Sequence, residues 1–289
     1  MKVYSESSRD DIAISRIINA VKKYAPDGVE FVKGDEEADL IILYVYGFRR
    51  HTRYNTERLH KAGKKYAIVQ LCVRSTPNPK TEDWLPIWEK AEVVWSYYDL
   101  PELCREDGNP TNFNFYYAPL GVDSAVFKET KSERKFIVAS TGSGSRFSLE
   151  CKNEVISAAS GLGTIFQLGV GEDSSSISYS NNMDDSALAT YYSQCKFVSG
   201  LHKIEGFELP VIEGILCGAR PICFDTPNFR HWFDGLAEFI PQDRNISENI
   251  RGIFTKGAKQ VSDDEKVYVK NHFDWKAITG GFWKMLEKK

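Results

Sequence analysis

The chain has 289 residues, which is enough for one large α/β domain or for two domains of about 100–150 residues each. Its hydrophobic content of 42% and charged content of 27% are those of a globular protein, and a net charge of −3 excludes a molecule that binds polyanions over its whole surface. The six cysteines form no C-x-x-C pair, which indicates buried free thiols in a reducing compartment. No stretch approaches the ~20 apolar residues of a membrane span, and the first residues lack the apolar run of a signal peptide. We therefore expect a soluble, cytoplasmic protein.

The first part of the chain alternates between predicted strands and helices. The run ADLIILYVYGF is almost continuously apolar and rich in β-branched and aromatic residues, which is typical of a buried central strand. The alternation predicts a mostly parallel sheet that is covered by helices on both faces. Strands are predicted at residues 2–6, 29–32, 38–48, 66–73, 92–98 and 114–121, and helices at 10–25, 53–65 and 100–106.

The same alternation restarts after residues 119–134, a polar stretch with turn signals that we interpret as a linker. Two consecutive halves of this kind predict two Rossmann-like domains with a cleft between them, over residues 1–118 and 119–270. In the second half, strands are predicted at 135–140, 164–171, 196–201 and 220–225, and helices at 149–160, 184–195, 209–218 and in the last 25 residues.

The most informative stretch is IEGFELPVIEGILCGARP at residues 204–221, where seven residues separate Glu205 from Glu213. Pro210 suits the first turn of a helix, and the N–H groups of residues 206–209 then lie at its N-terminus, which is an anion site at the carboxyl end of a strand. Glu213 can accept two hydrogen bonds from a vicinal diol such as a ribose, and Glu205 faces the other end of the ligand. Arg146 and Lys152 supply the positive charge that a diphosphate needs.

This stretch resembles the donor-binding signature of the family-4 glycosyltransferases, which have the GT-B fold. Their signature is Glu-Gly-Phe-Gly-Leu-Pro with a second Glu separated from the first by seven residues, followed by Cys-Gly-x-Pro before a strand. In this chain the Cys217–Pro221 segment is one residue longer than that pattern. Passages at 117–127, 184–201 and 271–286 resemble other parts of the family in the same order, so the resemblance covers about residues 115–286. The matching signature residues are Glu205, Gly206, Phe207, Leu209, Pro210 and Glu213.

The resemblance implies a retaining transferase that needs neither a metal ion nor a separate cofactor. Its donor would be a nucleoside-diphosphate sugar, UDP- or GDP-linked, and its C-terminal helix over residues 271–289 would pack back on the first domain. The implied catalytic residues are Glu205, Arg146 and Lys152. The implied donor-binding residues are Gly142, Ser143, Gly206, Phe207, Glu208, Leu209 and Glu213.

Glu208 departs from the family pattern because it stands where a glycine is usual, and it either alters sugar preference or faces solvent. His202 and Lys203, just before the signature, are as consistent with lining the cleft as with having no special role. The first domain also lacks the glycine-rich acceptor loop of the family.

The prediction of the acceptor depends on a basic segment at residues 48–65, which holds seven Lys and Arg residues and one acid. It is either a solvated helix face or a patch for a polyanionic acceptor. A saccharide or a glycolipid is the first expectation for the acceptor, and a hydroxymethylated base in DNA is the alternative. A non-catalytic module that binds nucleotide sugars is the alternative from another class. The proposed acceptor contacts are Arg49, Arg50, His51 and Arg53.

Overall fold

The computed structural model describes residues 1–5, 12–45, 49–73, 80–140, 149–169, 174–180 and 183–287, without the side chains of residues 12, 13 and 49–51. The chain forms two compact units. The first consists of Met1–Gly121 together with the residues from Trp275 onward, and the second is Val122–Asp274. Within the described ranges, no helix combines the length and the apolar character needed to cross a membrane.

The first unit is built on a parallel sheet in the order β2-β1-β3-β4-β5-β6. Its middle strand β3 is buried along its whole length, as its apolar run predicts. The elements before the second unit are β1 (Lys2–Ser5), α1 (Ile12–Lys23), β2 (Glu30–Phe31), a 3-10 turn (Asp35–Glu37), β3 (Leu40–Val45), α2 (Arg49–Lys61), β4 (Lys65–Gln70), a 3-10 turn (Thr81–Asp83), α3 (Leu85–Trp88), β5 (Val94–Ser96), α4 (Leu100–Glu106) and β6 (Phe115–Tyr117).

Helix α2 corrects one predicted boundary, because it begins at Arg49 rather than at residue 53. Arginine is among the better helix formers, so the basic residues at its start extend the helix toward β3. Strand β3 is described over Leu40–Val45, and residues 46–48 of the predicted strand lie outside the described residues.

The second unit has its own parallel sheet, in the order β12-β11-β10-β7-β8-β9. The sequence predictions missed four elements of this unit: the strands at Ile177–Ser180 and Glu238–Ile240, and the helices at Pro227–Phe233 and Ile246–Lys256. The two missed strands are short edge strands without a long apolar run, and pairing with β8 and β11 defines them. The elements are β7 (Phe136–Ser140), α5 (Lys152–Ala159), β8 (Thr164–Leu168), β9 (Ile177–Ser180), α6 (Asp185–Ser193), β10 (Cys195–Gly200), α7 (Leu209–Leu216), β11 (Arg220–Phe224), α8 (Pro227–Phe233), β12 (Glu238–Ile240), α9 (Ile246–Lys256) and α10 (Asp263–His272).

The last helix, α11 (Trp275–Glu287), belongs to the first unit. The Trp283 indole N–H donates to the Val21 carbonyl at 3.1 Å, and the Tyr116 hydroxyl donates to the Ile278 carbonyl at 2.8 Å. Phe282 packs against Trp95 with ring centroids 5.5 Å apart. The predicted return of the C-terminal helix to the first unit is therefore confirmed.

Arg220, within the segment that is longer than the family pattern, anchors α10 to the sheet. Its side chain is 3% exposed and forms two hydrogen bonds, of 2.7 and 3.1 Å, with the Glu265 carboxylate. It also donates to the carbonyls of Leu236, Lys259 and Gln260. Glu265 completes a capping box with Ser262 at the start of α10. A buried guanidinium with this many acceptors is part of the folded core, and we assign it no part in the candidate site.

Candidate functional site

The predicted donor residues lie at one edge of the sheet of the second unit. All strand pairs in that sheet are parallel, so the carboxyl ends of the strands meet at the same edge. Strand β10 pairs with β7, and the chain leaves these strands at Gly200 and Ser140 before entering α7 and α5. Two helix N-termini therefore follow neighbouring strands, the arrangement in which open α/β sheets bind ligands.

Helix α7 begins at Leu209 and carries Pro210 in its first turn, as predicted. Glu208 is its N-cap residue and has extended backbone geometry, but its side chain accepts no hydrogen bond from the N–H groups of that helix. Phe207 is buried against Phe233 and Phe273, with ring centroids 5.0 and 5.9 Å away. The aromatic packing therefore fixes the turn that enters the helix, while the first N–H groups of α7 keep no side-chain cap.

Glu213 sits in the middle of α7 and is only 2% exposed. The adjacent Gly214 lies directly against β10, since an added Cβ would come within 2.3 Å of Val198 Cγ1. Tight packing of this kind fixes the helix against the sheet and so fixes the position of Glu213. A carboxylate held this rigidly in a low-dielectric setting suits recognition of a ligand diol by hydrogen bonds.

Lys152 is the first residue of α5 and is 7% exposed. Its ammonium group lies 4.9 Å from the centroid of the Tyr179 ring on β9, a cation–π contact. The preceding residue, Cys151, has a φ of 52° and is the single non-glycine residue with positive φ among those described. Such left-handed geometry costs free energy and is often found near functional sites. The chain thus begins α5 in a strained conformation that places a buried cation at the sheet edge.

Glu208, at the start of α7, lies within electrostatic reach of three other carboxyl groups. Burial raises the pKa of Glu208 well above its usual range, and the charges of Glu205, Glu150 and Glu213 raise it further. Glu208 also acts on β11. Burial, and then the charge of Glu208, raise the pKa of the Cys223 thiol on that strand. At neutral pH, Glu208 therefore holds its proton more firmly than an ordinary carboxyl group does.

Several predicted residues cannot be placed in this site. Gly142, Ser143 and Arg146 lie outside the described residues. Arg49, Arg50 and His51 begin α2 in the first unit, but their side chains are not described. Arg53 is exposed on the same helix and donates to Glu57 at 2.9 Å. Of the predicted set, Lys152 and the segment from Glu205 to Glu213 follow neighbouring strands of the second unit, at the carboxyl edge of its sheet.

The structure adds residues that the sequence did not single out. Glu150 joins the carboxyl groups around Glu208, and Tyr179 contacts Lys152 from a strand that was not predicted. His202, which the sequence left open, is 9% exposed, and its Nδ1 accepts from the Ile204 N–H at 3.4 Å. Its position directly after a strand is the one signal in the sequence that favours a role at the sheet edge.

The loop after β10 is fastened to the start of α5. Lys203 forms an ion pair with Glu154 at 3.1 Å, and its backbone N–H donates to the Leu149 carbonyl at 2.9 Å. Within the described ranges, there is no group of three or more His, Cys, Asp or Glu side chains that could hold a metal ion.

Comparison with solved structures identifies the architecture. The chain superposes on the sucrose-phosphate synthase of Thermosynechococcus elongatus with a TM-score of 0.75 and 12% identity, covering 99% of this chain and 98% of that one. It superposes on HepE of Anabaena, solved in complex with UDP-glucose, with a TM-score of 0.76 and 14% identity, covering 100% and 99%. The fold is GT-B. The fold class predicted from the sequence is thus confirmed.

A more distant GT-B neighbour is the pneumococcal O-GlcNAc transferase GtfA, with a TM-score of 0.62 and 18% identity over 86% of this chain and 56% of that one. No family model matches the sequence, and no curated protein matches it either. At these identities the likeness shows the shared fold, and the chemistry of the site has to be argued from its own residues.

Proposed function

We propose that the protein is a retaining, metal-independent glycosyltransferase that moves a sugar from a nucleoside-diphosphate sugar to an acceptor hydroxyl. The observation that carries the proposal is the pair Glu205 and Glu213, which flanks the uncapped N-terminus of α7 at the carboxyl edge of a parallel sheet. Two neighbours of the same fold support it, since one is a sucrose-phosphate synthase and the other was solved with UDP-glucose.

Each part of the donor meets a suitable group in this proposal. The diphosphate lies against the N–H groups at the start of α7, where the helix dipole favours negative charge. Lys152 adds a buried positive charge, which interacts more strongly with a phosphate than an exposed lysine would. Glu213 accepts hydrogen bonds from the ribose hydroxyls, and Glu205 contacts the sugar. Arg146, assigned from the sequence, would assist Lys152.

The reaction would follow from this placement. Bond cleavage between the sugar and the diphosphate leaves negative charge on the departing phosphate, which Lys152 and the helix N-terminus stabilise. The departing phosphate oxygen takes the proton of the attacking acceptor hydroxyl, so that no separate base is required. The site thus lowers the barrier mainly by positioning and electrostatic stabilisation.

The favoured acceptor is a saccharide or a glycolipid rather than a hydroxymethylated base in DNA. On α2, the ion pairs of Arg53 with Glu57 and of Arg58 with Asp35 neutralise two of the basic side chains that would otherwise attract DNA. Binding to duplex DNA that weakens steeply with added salt would favour the DNA acceptor instead.

The proposal is tested by titrating a panel of UDP- and GDP-linked sugars into the full chain by calorimetry. Replacing Glu213 with alanine removes the group assigned to the ribose, so we expect the donor affinity to fall by about 1–3 kcal/mol, the cost of an unpaired polar group. Glu248→Ala, on the exposed face of α9, serves as the matched control and should leave the affinity unchanged.

Two results would count against this assignment. If Glu213→Ala left donor affinity and turnover unchanged, the assignment would lose the residue on which it mainly depends. Donor binding by the native chain without any hydrolysis or transfer would favour a binding module without catalysis.

A further inference from the structure

Tyr179 contacts Lys152, and the proposed function gives this tyrosine no role. It stands on β9, the edge strand of the second sheet. The Lys152 ammonium group lies 4.9 Å from the centroid of the Tyr179 ring. Because Lys152 is buried at the start of α5, its charge is largely desolvated, and the face of an aromatic ring attracts a desolvated cation more strongly than an exposed one.

The fold brings the ring and the lysine together from two sides. On β8, Phe166 stacks on Tyr191 of α6 with ring centroids 4.3 Å apart, so the next residue, Gln167, points to the opposite side of the sheet. Tyr179 is the register partner of Gln167 in the parallel ladder, so its ring lies on that same side. There it meets Lys152, which follows the left-handed residue that begins α5.

The side chains in the row beside Tyr179 are neutral. Ser140, Gln167 and Tyr179 are register partners across β7, β8 and β9. Gln167 Nε2 donates to the Leu168 carbonyl at 2.9 Å, whereas Gln167 Oε1 and Ser140 Oγ are buried and have no hydrogen-bond partner within the described ranges. The row therefore offers oxygen acceptors of the kind that a buried ammonium group needs, and it contains no carboxylate.

A ring holds a cation in a different way from an acid. The ring attracts the ammonium group through its quadrupole, so this contact leaves the positive charge in place for a phosphate. A lysine side chain is flexible, and fixing it before the ligand arrives lowers the entropic cost of binding.

We propose that Tyr179 is a positioning residue, whose ring holds the Lys152 ammonium group where it meets the diphosphate of the nucleotide. This inference rests on the proposed function, which assigns Lys152 to the diphosphate. Tyr179 acts through Lys152, and it does so through the electron density of its ring face rather than through its hydroxyl group.

The test is calorimetry on the full chain with UDP and with GDP, each of which carries a diphosphate without a sugar. Position 179 is changed to Phe, to 4-fluorophenylalanine, to 3,4,5-trifluorophenylalanine and to Leu. Fluorine atoms withdraw electron density from the ring face while changing the ring size little. Tyr179→Leu is also combined with Lys152→Met, and a thermal melt checks that each variant is folded. The matched control is Tyr24→Leu, which removes a contact of 5.1 Å between that ring and Lys23 in the first unit.

We expect Tyr179→Phe to bind the nucleotide within about twofold of the native chain. The affinity should then fall with each step of fluorination, reaching a loss of about tenfold in the trifluorinated variant and in Tyr179→Leu. Tenfold corresponds to about 1.4 kcal/mol, which is within the range of a partly desolvated cation–π contact. In Lys152→Met, Tyr179→Leu should change the affinity by less than about twofold, because the cation that the ring holds is gone. The melting temperature should be the same for all the aromatic variants, and Tyr24→Leu should leave the affinity unchanged.

The possible failures are distinct. Equal affinities across the fluorinated series, or a loss in Tyr179→Leu that persists in Lys152→Met, would overturn the role of Tyr179 while leaving the nucleotide site in place. Absence of binding of both UDP and GDP to the native chain would overturn the proposed function, and this inference with it.

Discussion

The contact between Arg220 and Glu265 makes a quantitative prediction about stability. Burial by itself raises the pKa of Glu265, but the hydrogen bonds and charge of Arg220, together with those from Ser262, outweigh it and lower the pKa from 4.5 to about 2. A carboxyl group whose pKa is lower in the folded chain stabilises the fold above its unfolded pKa. That contribution is lost as the pH falls from about 4.5 toward 2.

The magnitude follows from the same numbers. One pKa unit corresponds to about 1.4 kcal/mol, so the difference between 4.5 and about 2 amounts to about 3 kcal/mol. The substitution Glu265→Gln removes the charge and leaves the buried Arg220 with carbonyl partners alone, for which a loss of about 3–5 kcal/mol is usual. Glutamine can still complete the capping box with Ser262, so the loss of stability reports the contribution of the Glu265 charge.

The assay is urea unfolding followed by circular dichroism at pH 7 and at pH 3. We expect the variant to be about 3 kcal/mol less stable than the native chain at pH 7 and to differ much less at pH 3. The matched control is Glu57→Gln, because Glu57 pairs with Arg53 at 2.9 Å but is 51% exposed, and exposed pairs contribute below about 1 kcal/mol. Equal losses in both variants, or a loss in Glu265→Gln that does not depend on pH, would refute the reasoning.

Two further stability predictions concern the last helix and the start of α7. In α11, Gly281→Ala should destabilise the protein by about 1–3 kcal/mol in urea unfolding, because the new Cβ would lie 2.1 Å from the Tyr116 hydroxyl oxygen. Gly280→Ala meets nothing within 4 Å and should be neutral or slightly stabilising, so equal losses at both positions would contradict this packing. Glu208→Gln should raise the melting temperature relative to the native chain increasingly above about pH 4.3, because an acid whose pKa is raised on folding loses its contribution to stability as the pH rises. A difference in melting temperature that is the same at pH 4 and pH 8 would be inconsistent with that shift.

Much of the local structure was predictable because it depends on residues close together in the sequence. Asp184 caps α6 by accepting from the Ala187 N–H at 2.7 Å, an interaction between residues three positions apart. Gly218 ends α7 with a φ of 80°, a conformation that favours glycine. Apolar runs located the buried strands, and Pro210 located the start of α7.

The two missed strands are defined by pairing with a neighbouring strand. Strand β9 contains serines and one tyrosine, and it is a strand because Ile177 pairs beside Ile165 of β8. Strand β12 has three residues and is held in the same way by β11. Short edge strands of this kind lack a hydrophobic period that a sequence reading could recognise.

The sequence by itself determined the two alternating halves, helix α7 and the two glutamates before and within it, because these are local patterns of residue type and spacing. Only the tertiary structure decided which side chains share the site. Pairing of β10 with β7 is a contact between strands that are distant in sequence, and it brings the starts of α7 and α5 to one edge of the sheet. That pairing gathers Glu150 and Glu208, whose mutual repulsion no local pattern could reveal.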